Sequence, residues 1–311
     1  MANNPKSFWL ALSTFIFVLL SLVYTYVILA VPAPRLPSIA TQRAITAVEN
    51  ERWIFVGDVH GMYDELQELL SLVDAEKPDT HVVLLGDFVS KGPQSGKVVH
   101  YLEENRNSTH CILGNHEINV MFAYLNRRDL KKRLSRKNSR WDPVVFDTEN
   151  YVPRHDQVNN KHKLLAQQLG ISKLTSMATL CSAELQIHLN ASDHTLIAVH
   201  AGLAPDFEGK QPKIGDITTM KYMLPKDHSK TSKYKFYKAR RWFKLWNADT
   251  APENVTVLYG HDANSGLNLR KQTKGLDSGC VGGGKLTALE YVYKNGKYHE
   301  YLHQVKCRQF M

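Results

Sequence analysis

The chain is 311 residues long, with 43% hydrophobic residues, 22% charged residues and a formal net charge of +9. These values are typical of a folded protein and exclude intrinsic disorder and fibrous repeats. The length suits two domains, or one α/β domain of about 250 residues with an appendage.

The N-terminal segment is strongly apolar. Residues 8–31 contain 24 residues without a charge, and a helix of about 20 apolar residues crosses a membrane. A cleaved signal peptide would have a shorter apolar region, of about 7–15 residues. The sequence therefore predicts a short tail over 1–7 and a single-pass transmembrane anchor over 8–31. Charged residues on both sides leave its orientation undecided.

Three prolines follow within VPAPRLPSIA (31–40) and predict an extended stalk over 32–50, with the folded domain over 51–311. Sequons at Asn107, Asn190 and Asn254 are compatible with a luminal domain. The chain has four cysteines, too few for a disulfide scaffold and without zinc-knuckle spacing. We expect buried thiols or a single disulfide.

Predicted strands and helices alternate from residue 51 onward. Residues 62–73 carry leucines at helical spacing, and Pro93 opens a second helix that ends near Asn105. Three short apolar runs are typical of buried strands: WIFVG (53–57), HVVLLG (81–86) and THCILG (109–114). The β-α-β-α-β order predicts an α/β fold with a largely parallel sheet.

The second half predicts a helix over 155–169 that ends at Gly170, followed by strands at LQIHL (185–189) and TLIAVH (195–200). Near the C-terminus, two alternating segments flank Asn295-Gly296. Because Asn-Gly supplies the two positive-φ positions of a type I′ turn, this pattern predicts a β-hairpin.

Metal-ligand residue types follow five of the predicted strands. In parallel α/β sheets, loops after neighbouring strands deliver their side chains to one place. Asp, His and Asn supply the oxygen and nitrogen ligands that divalent metals take, and the adjacent glycines allow sharp turns. The residues are Asp58 and His60, Asp87, Asn115 and His116, His200, and His261. A single such loop is more often structural, but five together predict a catalytic site.

The order of the motifs G-D-x-H-G, G-D-x-V-x-x-G, G-N-H-E, H-A-G and G-H resembles the phosphoprotein-phosphatase-type metallophosphoesterases over residues 51–290. The resemblance implies a calcineurin-like sandwich of two mixed β-sheets flanked by helices. It also implies two divalent ions per chain, with zinc favoured and Mn, Co or Fe as alternatives. By the family pattern Asp58 and His60 hold one ion and Asp87 bridges. Asn115, His200 and His261 hold the second ion, and His116 is the general acid.

Departures from that pattern indicate a subgroup. G-D-F-V-S-K-G-P and LDSGCVGGGKLTAL (276–289) resemble the ApaH-like phosphatases, a group similar to bacterial dinucleoside tetraphosphatases. Lys91 replaces a phosphate-gripping arginine with a point charge. Ser90 replaces a carboxylate that in relatives orients the acid histidine. Lys221 and Arg270 are stand-ins for a second phosphate-gripping cation that the pattern does not place.

Two basic stretches, 127–140 and 226–244, each hold eight Lys or Arg residues against one Asp. Both flank predicted site residues, so they are predicted either to line a groove for a polyanion or to form solvated surface. The second stretch contains aromatic residues that suit base stacking, although nucleic acid is the less favoured partner and Trp242 is expected to pack on the domain.

An anchor, a stalk and one catalytic domain resemble the zinc-dependent type of fungal vacuolar endopolyphosphatase within this family. That resemblance implies hydrolysis of inorganic polyphosphate in a vacuolar lumen. The alternatives are a phosphatase acting on dinucleoside polyphosphates, capped RNA or phosphoprotein, and an inactive membrane-tethered scaffold that binds polyanions. The scaffold would be marked by lost metal ligands, and all six predicted ligands are present.

Overall fold

The computed structural model describes residues 5–30, 36–125, 158–190, 192–210, 212–247, 249–294 and 297–311. The chain divides into two units, Met1–Arg35 and Leu36–Met311. Two predicted features lie outside the described residues, namely the basic stretch over 127–140 and the Asn295-Gly296 turn.

The first unit contains helix α1 (Pro5–Ala30), which overlaps the predicted anchor over 8–31. Its described apolar side chains, among them Trp9 and Phe17, are exposed. Within the described part of the chain, no helix is long and apolar enough to cross a membrane. The predicted transmembrane helix is therefore not confirmed.

The second unit contains the remaining helices and all the described strands. Its strands are β1 (Ala40–Ala47), β2 (Arg52–Val56), β3 (Thr80–Leu84), β4 (Thr109–Cys111), β5 (Ser182–Leu189), β6 (His194–Val199), β7 (Tyr222–Leu224), β8 (Asp227–Ser232), β9 (Arg240–Arg241), β10 (Val255–Tyr259), β11 (Asn268–Leu269), β12 (Thr273–Gly275), β13 (Lys285–Lys294) and β14 (Lys297–Lys306). Its helices are α2 (Tyr63–Leu72), α3 (Ser95–Glu104), α4 (Asn115–Leu125), α5 (Asn160–Leu180) and α6 (Ile214–Thr219), with a 3₁₀ turn at Trp242–Lys244.

The strands form two large mixed sheets and one small one. The first sheet has the order β14-β13-β2-β3-β4, in which β2, β3 and β4 are parallel and β13 and β14 form the predicted hairpin. The second has the order β1-β5-β6-β10-β12-β11, and β8, β7 and β9 form the third. The predicted α/β architecture with mixed sheets is confirmed.

The two large sheets enclose a core of apolar side chains. Trp53, Phe55 and Val83 of the first sheet pack with Leu185 and Leu196 of the second. The opposite face of the first sheet, including Ile54 and Val56, belongs to a separate cluster that contains residues of α2 and α3. This alternation is the two-faced burial expected when a sheet lies between a second sheet and helices.

The second unit begins at Leu36, whereas the sequence placed the domain start at Glu51. Leu36 and Ile39 are buried, and β1 pairs in parallel with β5 at the edge of the second sheet. The predicted stalk over 32–50 therefore needs correction. The strand was missed because ATQRAITA lies at a sheet edge, where most of its side chains are exposed or half-buried and no apolar run is required.

Helix α5 extends beyond its predicted end. Gly170 has a φ of 67°, and the helix is kinked there but continues to Leu180. The left-handed backbone suits glycine, which is why the sequence predicted a helix end at this position. Asn159 caps the N-terminus, since its side chain accepts a hydrogen bond from the backbone N–H of His162.

All four cysteines form disulfides, Cys111–Cys181 and Cys280–Cys307, whereas the sequence predicted one bridge at most. The first bridge joins the end of β4 to the residue before β5. It lies beside a backbone bridge from Ile112 to Ser182, which connects the two large sheets. Spacing along the chain could not reveal this pairing, because it depends on how the end of β4 meets the start of β5 in the fold.

Candidate metal centre

The predicted metal ligands lie in the loops that follow strands of both large sheets. Asp58 and His60 follow β2, Asp87 follows β3, and Asn115 opens α4 just after β4. His200 follows β6 and His261 follows β10, and these two strands are adjacent and parallel in the second sheet. The carboxyl ends of the two sheets thus meet around a cavity of about 320 Å³.

Asp87 lies at the centre of two groups of ligand atoms. His60, Asp87 and His116 form one group, and Asp87, His200 and His261 form the other, with the ligand atoms in each group within 4.8 Å of one another. Nε2 of His60 is 3.7 Å from Oδ2 of Asp87, and Nε2 of His200 is 3.4 Å from Oδ1. One carboxylate therefore faces both groups, as a bridging ligand does.

Asp58 and Asn115 complete the set. Oδ2 of Asp58 lies 3.7 Å from Nε2 of His60, and its Oδ1 accepts a hydrogen bond from the backbone N–H of His261. Oδ1 of Asn115 and Nε2 of His200 are buried and have no hydrogen-bond partner among the described residues. Because buried polar atoms are almost always paired, these two atoms fit ligands of a metal ion.

Backbone carbonyls orient the imidazole rings. Nδ1 of His200 donates to the carbonyl of Leu85 at 2.8 Å, and Nδ1 of His60 donates to the carbonyl of Val89 at 3.3 Å. Nε2 of His261 donates to a third carbonyl at 3.2 Å. In the rings of His60 and His261 this bond leaves the other nitrogen with its lone pair, which is how metal-ligating histidines are usually held.

The ligand loops have an unusual backbone conformation. His60, Asp87 and His261 have φ values of 48°, 47° and 67°, a left-handed region that costs energy for residues other than glycine. The chain also approaches the carboxylates closely, because a Cβ on Gly260 would lie 1.9 Å from Oδ1 of Asp58. The fold thus holds strained loops in place at the site, which is typical of functional residues.

Burial and mutual charge set the ionisation of the ligands. For Asp87, burial acts to raise the pKa, but His200 and His116 outweigh it and hold the pKa well below the usual range. For His200, burial opposes protonation, but Asp87 raises its pKa to about 10. Burial lowers the pKa of His60 and His261 well below the ordinary value, so both rings are neutral, the form that binds metals.

Glu117 has a structural role in the site that was not predicted. It is fully buried, and its two carboxylate oxygens accept hydrogen bonds from the backbone N–H groups of Asp87, Val89 and Gly114 at 2.8–2.9 Å. Burial raises the pKa of Glu117 to about 7, against the effect of these donors. The side chain joins the loops that carry Asp87 and Asn115, so it positions the ligands without facing the cavity.

Replacing Glu117 with Gln should loosen both loops. The amide nitrogen of Gln cannot accept a hydrogen bond, so at least one buried N–H loses its partner, which costs about 1–3 kcal/mol. We expect a lower melting temperature and weaker metal binding, measured by calorimetry and by metal titration. Glu68→Gln, at an exposed position on α2, is the matched control. Equal metal affinity in the two variants would contradict this role.

Two of the three predicted substrate-binding residues lie at the cavity and one does not. Lys91 and Lys221 line the metal cavity, and Arg270 does not. The guanidinium of Arg270 lies over the ring of Phe243, at 5.2 Å from its centre. Lys233 and Asp277 also line the cavity. Lys233 lies within the predicted basic stretch, whereas nothing in the sequence distinguished Asp277 from other residues of its motif.

A larger cavity of about 850 Å³ lies elsewhere in the second unit, beside β5 and β6. None of the predicted site residues lines it. The smaller cavity combines the converging metal ligands with the lysines, so it is the candidate active site.

Comparison with known proteins identifies the family. Residues 52–296 match the family model for the calcineurin-like phosphoesterases. The chain is a calcineurin-like phosphoesterase. The alternative of an inactive scaffold is set aside, because the chain belongs to a family of phosphoesterases and carries all six predicted metal ligands.

Relatives of this calcineurin-like phosphoesterase include a zinc-dependent endopolyphosphatase of Saccharomyces cerevisiae. It is 41% identical over 291 residues, which cover 90% of this chain and 89% of the yeast protein. A symmetrical bis(5'-nucleosyl)-tetraphosphatase of Proteus mirabilis is 26% identical over 261 residues, covering 76% of this chain and 93% of the relative.

A crystal structure of a candidate diadenosine tetraphosphatase superposes on this calcineurin-like phosphoesterase with a TM-score of 0.62. The two chains are 26% identical, and the match covers 86% of this chain and 99% of the other. The predicted resemblance to metallophosphoesterases and to the ApaH-like group is confirmed. The roles of the individual site residues stay predictions.

Proposed function

We propose that this calcineurin-like phosphoesterase hydrolyses phosphoanhydride bonds of inorganic polyphosphate with two divalent ions, zinc being favoured. The central observation is that one buried carboxylate, Asp87, faces two sets of metal ligands in a cavity lined by lysines. Similarity to the yeast zinc-dependent endopolyphosphatase supports this substrate and metal.

The ligand set fits two divalent ions. Asp58, His60 and Asp87 would hold one ion, and Asp87, Asn115, His200 and His261 would hold the other. Such a pair lowers the pKa of a bound water and stabilises negative charge on phosphate oxygens. Carboxylate, imidazole and amide ligands suit Zn, Mn, Co or Fe.

The remaining cavity residues would bind the substrate and assist departure of the product. Lys91, Lys221 and Lys233 line the cavity and place positive charge where phosphate oxygens would lie. Nε2 of His116 lies 3.9 Å from Oδ2 of Asp87, so the ring faces the same space. From this position His116 would act as the general acid and transfer a proton to the leaving oxygen.

A direct assay tests the function. Purified protein is incubated with long-chain polyphosphate and Zn²⁺, Mn²⁺, Co²⁺ or Mg²⁺, and the products are resolved by gel. Fragments of intermediate length that appear early would establish internal cleavage. Intact polyphosphate under all four metals would refute the proposed substrate.

The second candidate function is hydrolysis of dinucleoside polyphosphates. It is favoured by the similarity to the Proteus mirabilis tetraphosphatase and to the candidate diadenosine tetraphosphatase structure. Dinucleoside tetraphosphate, capped RNA and phosphopeptide are therefore included in the same assay. Cleavage of one of these with intact polyphosphate would keep the site and change its substrate.

The described basic stretch over 226–244 is proposed as the path of a long chain of phosphates. Lys233 lines the cavity, while Lys235, Lys238 and Arg240 are exposed. Tyr237 is 81% exposed, whereas Trp242 is 1% exposed and packs in the core as predicted. Positive charge therefore continues from the cavity to the surface, as binding of a long polyanion requires.

Charge reversal of this path should depend on substrate length. We expect Lys235→Glu combined with Lys238→Glu to raise KM for long polyphosphate about tenfold and to leave tripolyphosphate nearly unchanged, because only the long chain reaches both residues. Lys297→Glu combined with Lys306→Glu, on exposed ends of β14, is the matched control. An equal loss on both substrates would remove the proposed path.

We further propose that residues 8–31 anchor the protein in a membrane with the catalytic unit in a vacuolar lumen. The support is the uncharged apolar sequence, the two disulfides and the exposure of Asn107, Asn190 and Asn254. We expect resistance to carbonate extraction and a lower apparent mass after endoglycosidase treatment. Release by carbonate would refute the anchor, and absence of glycans would remove this support for the lumen.

A further inference from the structure

The larger cavity, of about 850 Å³, has a polar floor and an apolar wall. Leu185, Ile187 and Leu189 of β5 pack between the two large sheets, so the alternate residues of β5 face away from the first sheet. These alternate residues form the floor, and the apolar wall comes from outside the second sheet: Glu184, Gln186 and His188, and Leu203, Phe207, Ile217, Met220 and Met223. A cavity of this size is typical of a site for a small organic molecule.

The cavity has a closed end and an open end. Along its floor, Glu184 is 2% exposed, Gln186 is half-buried and His188 is exposed. Because all three line the same cavity, the cavity is closed near Glu184 and opens to solvent near His188. A ligand that enters from solvent therefore meets a carboxyl group at the closed end.

Glu184 has no cationic partner among the described residues. Its Oε1 accepts a hydrogen bond from Nε2 of Gln186 at 2.7 Å. Burial raises the pKa of Glu184, and the hydrogen bond from Gln186 acts against this rise. Lys210 and His228 also line the cavity, but both pair with Asp206 instead. A buried carboxyl group without a cation suits a ligand that brings its own positive charge.

The charge of the lining also favours a cation. Four carboxylates line the cavity against two lysines, namely Glu184, Asp206, Glu208 and Asp216 against Lys210 and Lys213. The whole chain has a formal net charge of +9, so this cavity is an acidic site on a basic protein. Phosphate anions are therefore expected at the lysine-lined metal cavity, and a cation is expected here.

Helix α6 connects the larger cavity to the metal centre. Ile217 lines the larger cavity, and its carbonyl accepts a hydrogen bond from the N–H of Ala201 at 2.7 Å. The carbonyl of Thr219, at the end of the same helix, accepts the hydrogen bond from Nε2 of His261 at 3.2 Å. Metal affinity depends on partners that orient a ligating histidine. A ligand that restrains α6 would therefore also restrain the ring of His261.

We propose that the larger cavity binds a small organic cation, a primary amine on an apolar body, and that the bound amine strengthens metal binding through α6. The ammonium group donates hydrogen bonds to the carboxylate of Glu184 at the closed end. The apolar body packs against the wall that contains Leu203 and Phe207. This site goes beyond the proposed hydrolysis, and its binding of amines does not depend on the substrate of the metal centre.

Three indoles that differ in charge test the amine site. Binding of tryptamine, indole-3-ethanol and indole-3-propionate to the full chain is measured by isothermal titration calorimetry. We expect tryptamine to bind at least about tenfold more tightly than the neutral alcohol, because only the amine offers a charged donor to Glu184. We expect no binding of the anionic propionate, because it would place a second carboxylate beside Glu184.

A pair of matched variants tests the role of Glu184. We expect Glu184→Gln to lower the affinity for tryptamine at least about tenfold and to leave that for indole-3-ethanol nearly unchanged. The amide oxygen of Gln can still accept from Gln186, so the variant should fold, and its melting temperature checks this. Glu208→Gln, at an exposed position of the same cavity, is the control. Its affinity for tryptamine should change less than about twofold, because solvent screens an exposed carboxylate.

Zinc titration tests the connection through α6. We expect saturating tryptamine to tighten Zn²⁺ binding about fivefold in the wild-type protein, and zinc to tighten tryptamine binding by the same factor, since coupling is reciprocal. Glu184→Gln should bind zinc as the wild-type protein does and show no effect of tryptamine. This variant also controls for zinc that binds to the free amine.

Equal affinity of the wild-type protein and Glu184→Gln for tryptamine would overturn the amine site. Equal affinity of the wild-type protein for all three indoles would also overturn it, because the cavity would then select for apolar surface alone. Zinc affinity that stays constant while tryptamine binds would overturn the role of α6. Failure to cleave polyphosphate would refute the proposed function and change none of these outcomes, because every readout here is binding.

Discussion

Asp87→Asn is expected to abolish phosphoanhydride hydrolysis, with a loss of at least about 10³-fold in kcat, since both proposed ions share this carboxylate. Asn has nearly the same shape but no charge, and it offers one oxygen where Asp offers two. Oδ2 of Asp87 faces His60, and Oδ1 faces His200 and accepts the backbone N–H of His116. A single oxygen cannot serve both groups.

The metal content gives a second readout. We expect mass spectrometry of purified Asp87→Asn to find fewer than two ions per chain, with a melting temperature that still indicates a folded protein. Asp74→Asn is the matched control, because Asp74 is an exposed partner of Lys77 with a φ of 47°, which Asn also tolerates. Full occupancy by two ions in Asp87→Asn would contradict the bridging role.

The strand-end loops could be predicted because each carries its signal within a few residues. Asp58, Asp87 and His200 each follow an apolar run, and parallel strands bring their ends together. The structure places these residues at the strand ends, as the pattern predicts. Local sequence was sufficient here, because each motif directly follows a strand and the fold places the ends of these strands close together.

Other residues could not be predicted because their contacts depend on long-range packing. His162 lies 46 residues after His116, in a helix with no recognisable motif, and only the packing of α5 brings Nε2 of His162 to 3.1 Å from Nδ1 of His116. Glu117 is part of the G-N-H-E motif, but its three N–H donors come from two loops. Strand β1 was hidden because an edge strand needs no apolar run.

The sequence shows which residues are basic but not which of them line the cavity. Arg270 was expected near phosphate but lies over an aromatic ring, and Lys233 was one of eight basic residues in its stretch. Asp262 is 5% exposed and pairs with both Lys221 and Arg241. A buried carboxylate therefore holds Lys221, one of the cations that line the cavity, and this choice among many basic residues is made by tertiary contacts.

Removal of the Cys111–Cys181 disulfide is expected to cause the largest loss of stability. The bridge closes a loop with a sequence separation of 70, for which loop-closure entropy gives about 4 kcal/mol. In a unit of this size that corresponds to a fall in melting temperature of about 10 °C. The variant is Cys111→Ala with Cys181→Ala, because both cysteines are buried and alanine leaves no polar atom unpaired.

The second disulfide provides the comparison. Cys280–Cys307 has a sequence separation of 27, so its removal should cost about 1 kcal/mol less if loop entropy dominates. The two bridges also differ in position, since Cys111 lies four residues before Asn115 and beside the connection between the large sheets. We therefore expect the first variant to lose metal affinity as well as stability, measured by titration below its melting temperature. Equal melting temperatures for the first variant and the wild-type protein would show that sheet packing alone holds this junction, and would remove the disulfide as a support of the metal loop.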